Sequence, residues 1–203
     1  MFTIGITGGT GAGKTSALKS LNALGALVLD CDAIYHELLS DNVELRAELS
    51  GRFPGILKDG AIDRKLLGGI VFSDHSALLD LNAITHKYVS LEIERRIAGW
   101  ADRGGTIVAI DAISLIESGR GKKCDIVVGV TAPAELRISR IMARDRITRE
   151  QAEMRINAQK TDAFFRDNCD YILEGIYDTS KEFEEVCGKF FKEKITGGPD
   201  YAG

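Results

Sequence analysis

The sequence predicts an α/β protein in which one parallel sheet lies between two layers of helices. Three observations favour this class. A strand pattern, a glycine-rich loop and a helix pattern follow one another at the N-terminus. Two later apolar runs lack polar alternation, as strands covered on both faces do. Helix patterns separate the strand patterns, which is the order that builds parallel sheets. The length of 203 residues corresponds to a single domain over residues 1–203.

The composition and charge exclude several other classes of protein. Apolar residues make up 44% and charged residues 28% of the chain, so a hydrophobic core is available. The net charge of −4 predicts no general binding to nucleic acid or to anionic membranes. The four cysteines have no CxxC pair and no metal-ligand spacing with the histidines, and no apolar run approaches the roughly 18–20 residues of a membrane span. We therefore expect a cytoplasmic protein with reduced cysteines.

The first elements of the chain form a strand, helix, strand unit. Phe2 to Thr7 is β-branched and apolar, and residues 14–24 have apolar side chains at helical spacing. Gly25 ends this helix as a C′ residue, and Ala26 to Leu29 forms the second strand. Such a unit crosses over right-handedly, so ligands are expected at the carboxyl ends of its strands.

The rest of the chain predicts a helical insertion and then a return to the sheet. Residues 33–99 have an almost entirely helical pattern, which we interpret as an insertion between strands. The elements predicted after it are strands at 106–110, 125–130 and 171–173, helices at 134–143 and 181–194, and a helix to about residue 159 that begins with a Thr148–Gln151 capping box. The tail at 197–203 is predicted to be flexible.

The strongest functional motif lies between the first strand and the first helix. Residues 8–15 match the pattern G-x-x-x-x-G-K-[ST], a P-loop whose glycines let backbone N–H groups wrap a chain of phosphates. The helix that begins near Lys14 directs its positive dipole end to the same place. Lys14 is expected to reach the β- and γ-phosphates, and the Thr15 hydroxyl to bind Mg²⁺. An ordinary glycine-rich turn is the alternative, although the flanking strand and helix are those that the motif requires.

A loop of this kind indicates binding of a nucleoside triphosphate and leaves the reaction open. GTPases, motor ATPases and small-molecule kinases all use it. The sequence has no Asn-Lys-x-Asp segment for guanine recognition, and motor ATPases are mostly longer chains. A small-molecule kinase is therefore favoured.

Carboxylates follow two of the predicted strands. Asp30 and Asp32 come at the end of the second strand, where a kinase needs a base for the acceptor hydroxyl or a ligand for the metal. Asp32 has an alternative role as a helix N-cap, since a helix pattern begins at Ala33. Asp111 ends a later strand and is either a Mg²⁺ ligand or a turn residue. Spacing alone does not choose between Asp30 and Asp32 as the base.

Three arginines share one stripe of the helix predicted at 134–143 and just beyond it. Arg137, Arg140 and Arg144 are spaced i, i+3 and i+7, and the segment 134–166 has a net positive charge in an acidic chain. Guanidinium groups suit the charge that spreads over a transferred phosphoryl group, and a mobile lid would also exclude water. A solvated helix face is the alternative interpretation of the same stripe.

Taken in order, the sequence resembles the dephospho-CoA kinase family of the nucleoside monophosphate kinase-like group. The similar stretches are residues 4–15, Leu29-Asp-Cys-Asp32 with Glu37, Asp59-Gly-Ala-Ile-Asp-Arg64, Ile70-Val-Phe-Ser-Asp74, Leu81-Asn-Ala with His86, Glu117-Ser-Gly119, and Arg140 through Arg144, Asp145, Thr148 and Glu150 to Arg155 and Gln159. The resemblance covers about residues 4–175. The first stretch is common to nucleotide-binding proteins, whereas the order and spacing of the others are particular to the family.

This resemblance implies a substrate-binding insertion at 33–99, a lid at about 134–166, and transfer of the ATP γ-phosphate to the 3′-hydroxyl of dephospho-coenzyme A, the last step of coenzyme A biosynthesis. Mg²⁺ accompanies ATP, and we expect a monomer or a small homo-oligomer. The implied catalytic residues are Asp32, Lys14 and Arg140. The residues expected to bind ATP are Gly9, Thr10, Gly11, Ala12, Gly13, Lys14, Thr15, Ser16 and Arg144. Those expected to bind the acceptor are Asp32, His86 and Glu117, and those expected to bind metal are Thr15 and Asp111.

The chain departs from the family pattern on the acceptor side. It has His86-Lys87 where the family has His-Pro, and Ile113-Ser114-Leu115 where the family has Pro-Leu-Leu. Two alternative functions therefore stay open. One is a divergent kinase of another nucleoside or small hydroxyl compound, and the other is a non-catalytic regulatory protein that binds a nucleotide.

Overall fold

The computed structural model describes residues 1–197. Its strands are β1 (Phe2–Gly8), β2 (Leu27–Asp30), β3 (Leu57–Lys58), β4 (Ala61–Ile62), β5 (Ile107–Asp111), β6 (Ile126–Thr131) and β7 (Tyr171–Glu174). Its helices are α1 (Lys14–Ala23), α2 (Cys31–Asp41), α3 (Val43–Arg52), α4 (Arg64–Ser73), α5 (His75–Ala101), α6 (Ala134–Asp145), α7 (Arg149–Asn157), α8 (Asp162–Asn168) and α9 (Ser180–Gly197). The chain divides into two compact units, which we call the sheet unit (Met1–Leu29 and Trp100–Gly203) and the helical unit (Asp30–Gly99).

The sheet has five strands in the order β2-β5-β1-β6-β7. β1 pairs in parallel with β5 on one side and with β6 on the other, and β6 pairs in parallel with β7. The carboxyl ends of these strands therefore lie along one edge of the sheet, which places the loop after β1 and the end of β5 on the same edge.

Side chains alternate along the two central strands and so define two faces of the sheet. Ile4 and Ile6 of β1 are fully buried in a cluster that includes side chains of α1 and α9. Helix α8 packs on the opposite face. Gly129 of β6 lies on that face, and a Cβ added to it would lie 3.4 Å from the Cβ of Phe165 on α8. Because helices cover both faces, the predicted three-layer α/β class is confirmed.

The elements predicted for the sheet unit are present, and their ends differ from the prediction by three residues or fewer. Gly25 follows α1 with φ +84°, as its C′ role requires, and the Thr148–Gln151 capping box is formed. Helix α8 was not predicted. Apart from Gly197, which ends α9, the tail predicted at 197–203 lies outside the described residues. None of the helices within residues 1–197 has the length and apolar character to cross a membrane.

The helical unit contains α2 to α5 and a small antiparallel hairpin of β3 and β4. The prediction of an almost entirely helical segment is wrong at this hairpin. Asp59 and Gly60 at its turn have φ of +51° and +79°, which an Asp-Gly pair adopts readily in a two-residue hairpin. The signal was present in the sequence, but strands of two residues are too short to give an alternating pattern.

Candidate active site

The loop between β1 and α1 has the backbone conformation that its glycines predict at three of four positions. Gly8, Gly11 and Gly13 have φ of +137°, +79° and +114°. A Cβ at Gly8 would lie 2.1 Å from the carbonyl oxygen of Val130, so only glycine fits there. Gly9 has no positive φ. A side chain at position 9 is excluded instead by the nearby guanidinium group of Arg137, which is described below.

A cavity of about 510 Å³ opens beside this loop within the sheet unit. The end of β5, the start of α1, helix α6 and the segment before α9 contribute to its wall. The residues that line it are Gly9, Thr10, Gly11, Gly13, Lys14, Thr15, Ser16, Asp111, Ile113, Arg140, Arg144, Tyr177, Asp178, Thr179, Ser180 and Phe183. Of the residues predicted to bind ATP, Ala12 is fully buried and does not line the cavity.

Three cationic side chains and one helix N-terminus face this cavity. Lys14 donates from Nζ to the Gly8 carbonyl oxygen at 2.7 Å, which holds its ammonium group close to the loop. Arg140 donates to the carbonyl oxygens of Gly11 and Tyr177, both at 3.3 Å. The amino end of α1 adds its own partial positive charge. A polyanion such as a triphosphate matches this distribution of charge.

Arg144 is held by the residue that follows it. Its Nε and Nη2 donate to the two carboxylate oxygens of Asp145, at 2.7 and 3.0 Å. These hydrogen bonds raise the pKa of Arg144 and lower the pKa of Asp145. Arg144 therefore stays charged at the rim of the cavity in a defined orientation.

Arg137 does not share the position of the other two arginines, so the prediction of one stripe facing the phosphates is wrong for this residue. Its side chain is almost fully buried, and Nε donates to the carbonyl oxygen of Thr10 at 2.9 Å. A Cβ at Gly9 would lie 2.1 Å from its Nη2. The first turn of α6 lies against the loop, whereas Arg140 and Arg144, one and two turns later, reach the cavity.

The two candidate bases at the end of β2 have different roles in the helical unit. Asp30 is the N-cap of α2, and its Oδ1 accepts from the backbone N–H groups of Asp32 and Ala33 at 2.9 and 3.0 Å. The alternative that Asp32 caps this helix is therefore wrong. Asp32 lies in the first turn of α2 and is exposed. His86, also in the helical unit, is exposed on α5.

Glu117 lies in a separate part of the sheet unit. It is exposed and lines a second cavity of about 310 Å³. The wall of this cavity consists of Gly8, Gly9, Ile113, Glu117, Ala158, Gln159, Lys160 and Phe165. The second cavity thus shares the start of the glycine loop with the first but not its cationic groups.

The oxygen groups near the loop fit a Mg²⁺ ion that is bound chiefly by phosphates. Thr15 and Asp111 supply a hydroxyl and a carboxylate to the same cavity. Among residues 1–197 no cluster of three or more His, Cys, Asp or Glu side chains could hold a metal by itself. Mg²⁺ in nucleotide sites takes one or two protein oxygens together with phosphate oxygens and water, so this donor set fits it.

Sequence reasoning missed two parts of the site. Tyr177 to Ser180, the segment between β7 and α9, lines the cavity, and no motif or spacing marked it. Gln159 contacts the loop at Thr10, and its only signal was its place in the family resemblance.

Comparison with known proteins agrees with this geometry. The family model described as dephospho-CoA kinase matches residues 2–178. A dephospho-CoA kinase from Thermobifida fusca is 36% identical over 188 residues, which are 92% of this chain and 91% of that protein. A crystal structure from Thermus thermophilus superposes with a TM-score of 0.79 at 31% identity, covering 97% of this chain and 98% of that one.

A dephospho-CoA kinase from Campylobacter jejuni superposes with a TM-score of 0.68 at 26% identity, covering 96% of this chain and 98% of that one. The resemblance found in the sequence is thus confirmed over nearly the whole chain. The chain belongs to the dephospho-CoA kinase family.

Proposed function

We propose that this chain is an ATP-dependent kinase that phosphorylates the 3′-hydroxyl of dephospho-coenzyme A, the last step of coenzyme A biosynthesis. The observation that carries the proposal is the cavity beside the glycine loop. It combines Lys14, Arg140 and Arg144 with the oxygens of Thr15 and Asp111 in a member of this family. A kinase of small molecules needs this combination because phosphoryl transfer depends on positioning and charge stabilisation.

The proposed role of the sheet unit is to bind ATP and stabilise the charge of the transferred group. The loop from Gly9 to Ser16 surrounds the phosphates, and Lys14 lies next to the β- and γ-phosphates. Arg140 and Arg144 stabilise the charge that develops on the equatorial oxygens. Thr15 and Asp111 would hold Mg²⁺, which neutralises charge on the β- and γ-phosphates when it is bound.

The proposed base is Asp32. The 3′-oxygen of the acceptor forms a bond to the γ-phosphorus, the bond between that phosphorus and the β,γ-bridging oxygen breaks, and ADP leaves. Asp32 accepts the proton of the hydroxyl. Two observations support it over its neighbour: Asp30 is engaged as the N-cap of α2, and the family motif matches at Asp32. His86 and Glu117 are proposed to bind the acceptor.

One residue that departs from the family pattern has a charged partner within the helical unit. Lys87 replaces the proline that follows the family's histidine, and its Nζ lies 2.9 Å from Glu48 Oε2. The hydrogen bond to Glu48 raises the pKa of Lys87. Lys87 thus links α5 to α3 through a largely exposed ion pair, and such a pair contributes little to stability.

The test is incubation of the purified protein with ATP, Mg²⁺ and dephospho-coenzyme A, followed by mass spectrometry of the acceptor. We expect the mass of the acceptor to increase by one phosphoryl group, and we expect no product with adenosine. Protein with Lys14→Ala is the control for contaminating kinases. ATP binding without any phosphorylated dephospho-coenzyme A would contradict the proposal and favour another acceptor or a regulatory role.

We also propose that the protein is located in the cytoplasm, because of the state of its cysteine thiols. Burial raises the pKa of Cys124 and Cys169 to about 11 and the pKa of Cys187 to about 12. These three thiols are therefore unreactive at neutral pH, and none of them forms a disulfide, as is common for proteins of a reducing compartment. The test is fractionation of the source cells. Recovery of the protein outside the cytoplasm would contradict the proposal.

A further inference from the structure

All three polar groups of Thr10 are bound by side chains from the segment that follows β6. Its N–H donates to Gln159 Oε1 at 2.9 Å, and its hydroxyl accepts from Gln159 Nε2 at 2.7 Å. Its carbonyl oxygen accepts from Arg137 Nε at 2.9 Å. Thr10 was predicted to bind ATP, but in this arrangement its backbone is held by the protein itself. We call Arg137 and Gln159 the Thr10 clamp.

The two side chains of the clamp also hold each other. Arg137 Nη2 donates to Gln159 Oε1 at 2.9 Å, and Arg137 Nη1 lies 3.6 Å from a carboxylate oxygen of Asp162. Only 4% of Arg137 is exposed. Burial lowers the pKa of its guanidinium, which remains charged because arginine titrates far above neutral pH. A buried charge with several fixed partners has little freedom to move, so the clamp is rigid.

Two glycines of the loop fit the clamp and are not required by the general motif. The fixed glycines of G-x-x-x-x-G-K-[ST] are Gly8 and Gly13, whereas Gly9 and Gly11 occupy variable positions. A Cβ at Gly9 would lie 2.1 Å from Arg137 Nη2, and one at Gly11 would lie 2.9 Å from the Arg137 carbonyl oxygen. The loop therefore has the shape that close contact with Arg137 demands.

We infer that Arg137 and Gln159 are positioning residues for phosphoryl transfer. They hold the loop at Thr10, so that Gly11 and Gly13, which line the cavity, keep a fixed arrangement before ATP binds. Neither residue lines the cavity beside the glycine loop. The inference rests on the proposed function, since it assigns these residues to the ATP side of that reaction. A preorganised loop binds phosphates more tightly and supports faster transfer than a loop that must first become ordered.

The first test is Gln159→Met, which removes the amide and keeps the length of the side chain. Gln151→Met is the matched control, because Gln151 lies in the first turn of α7, eight residues before Gln159, and its side chain bonds to Thr148 within the capping box. We expect Gln159→Met to lower the affinity for ADP by roughly tenfold and kcat/KM for ATP by a similar factor. Gln151→Met should lower the unfolding midpoint slightly and leave the affinity for ADP within about twofold of wild type.

The second test distinguishes the effect of the Thr10 hydroxyl group from the effect of the size of its side chain. Thr10→Ser keeps the hydroxyl that Gln159 Nε2 contacts, and Thr10→Val removes it. We expect Thr10→Val to lower the affinity for ADP by about fivefold or more and Thr10→Ser to retain most of it. Adding Thr10→Val to Gln159→Met should cause little further loss, because both changes break the same contact.

Several outcomes would overturn the inference. They are equal ADP affinities in Gln159→Met and Gln151→Met, equal effects of Thr10→Val and Thr10→Ser, or additive losses in the double variant. ADP binding needs no acceptor, so a wild-type protein that fails to phosphorylate dephospho-coenzyme A would contradict only the proposed function. Unfolding midpoints are measured for every variant, and Gln159→Asn, which keeps an amide on a shorter side chain, replaces Gln159→Met in both comparisons if Gln159→Met does not fold.

Discussion

The glycine loop and the helical unit are stabilised by opposite kinds of contact. The loop is fixed through its backbone, by glycine conformations and by the buried Arg137 and the half-buried Gln159, which bond to main-chain groups. The helical unit has side-chain ion pairs on its surface, such as Arg52 with Asp80 and Lys87 with Glu48. Substitutions in the loop should therefore affect function strongly, whereas most surface substitutions in the helical unit should change stability by little.

The largest effect is expected for Lys14→Ala. Lys14 supplies a positive charge at the phosphates, and loss of such a preorganised charge lowers kcat by about a hundredfold to a thousandfold. Its side chain is not part of the core, so the unfolding midpoint should stay close to wild type. Steady-state kinetics with thermal unfolding as the control measures both quantities. Near-normal kcat in a folded Lys14→Ala variant would contradict the assigned role.

A second prediction distinguishes the roles of two neighbouring aspartates in the helical unit. The variants are Asp32→Asn and Asp30→Asn, two residues apart. Asp32→Asn should lower kcat by about a hundredfold and leave ATP affinity nearly unchanged if Asp32 accepts the proton. Asp30→Asn preserves an oxygen that can cap α2, so we expect only a small loss of stability, on the order of 0.5 kcal/mol. Equal loss of kcat in both variants would contradict the assignment of the base to Asp32.

Gly9→Ala tests whether the loop needs the close contact between Gly9 and Arg137. The added methyl group would lie 2.1 Å from Arg137 Nη2, so either the loop or the guanidinium must move. We expect roughly tenfold weaker ADP binding and a loss of stability of about 1–3 kcal/mol. Gly51→Ala in α3 is the control, because nothing lies within 4 Å of its Cβ position. That variant should be more stable than wild type by about 0.5–1 kcal/mol, as expected for alanine in a helix.

Sequence reasoning predicted the parts of the site that local geometry dictates. The glycine loop and the capping box need particular residues at fixed offsets, so a motif identifies them without tertiary information. The burial of Arg137 could not be predicted, because helical spacing shows which residues share a stripe and not which turn lies under a loop. Tyr177 to Ser180 reach the cavity only through the return of the chain after β7, and such tertiary contacts leave no local pattern.

The smallest functional effect and the clearest pH dependence are expected at Glu92 in the helical unit. Hydrogen bonds from Arg95 and then Arg96 lower the pKa of Glu92 to about 2 against the opposing effect of burial. Because the pKa in the folded state is below the ordinary value of 4.5, the stabilisation is complete above about pH 4.5 and is lost as the pH falls toward 2. Glu92→Gln should therefore destabilise the protein by about 1–2 kcal/mol at neutral pH, allowing for the exposure of Arg95.

Asp80→Asn is the matched control for Glu92→Gln. The pair of Asp80 with Arg52 has both side chains nearly half exposed, so its loss should cost about 0–1 kcal/mol. Urea unfolding at neutral pH and at about pH 4 measures both variants. The difference between Glu92→Gln and wild type should shrink at the lower pH, because Glu92 then takes up a proton in the unfolded state, where its pKa has the ordinary value of 4.5, while the folded state keeps the carboxylate ionised. A difference that stays constant with pH would mean that Glu92 stabilises the helical unit by packing and not by its charge.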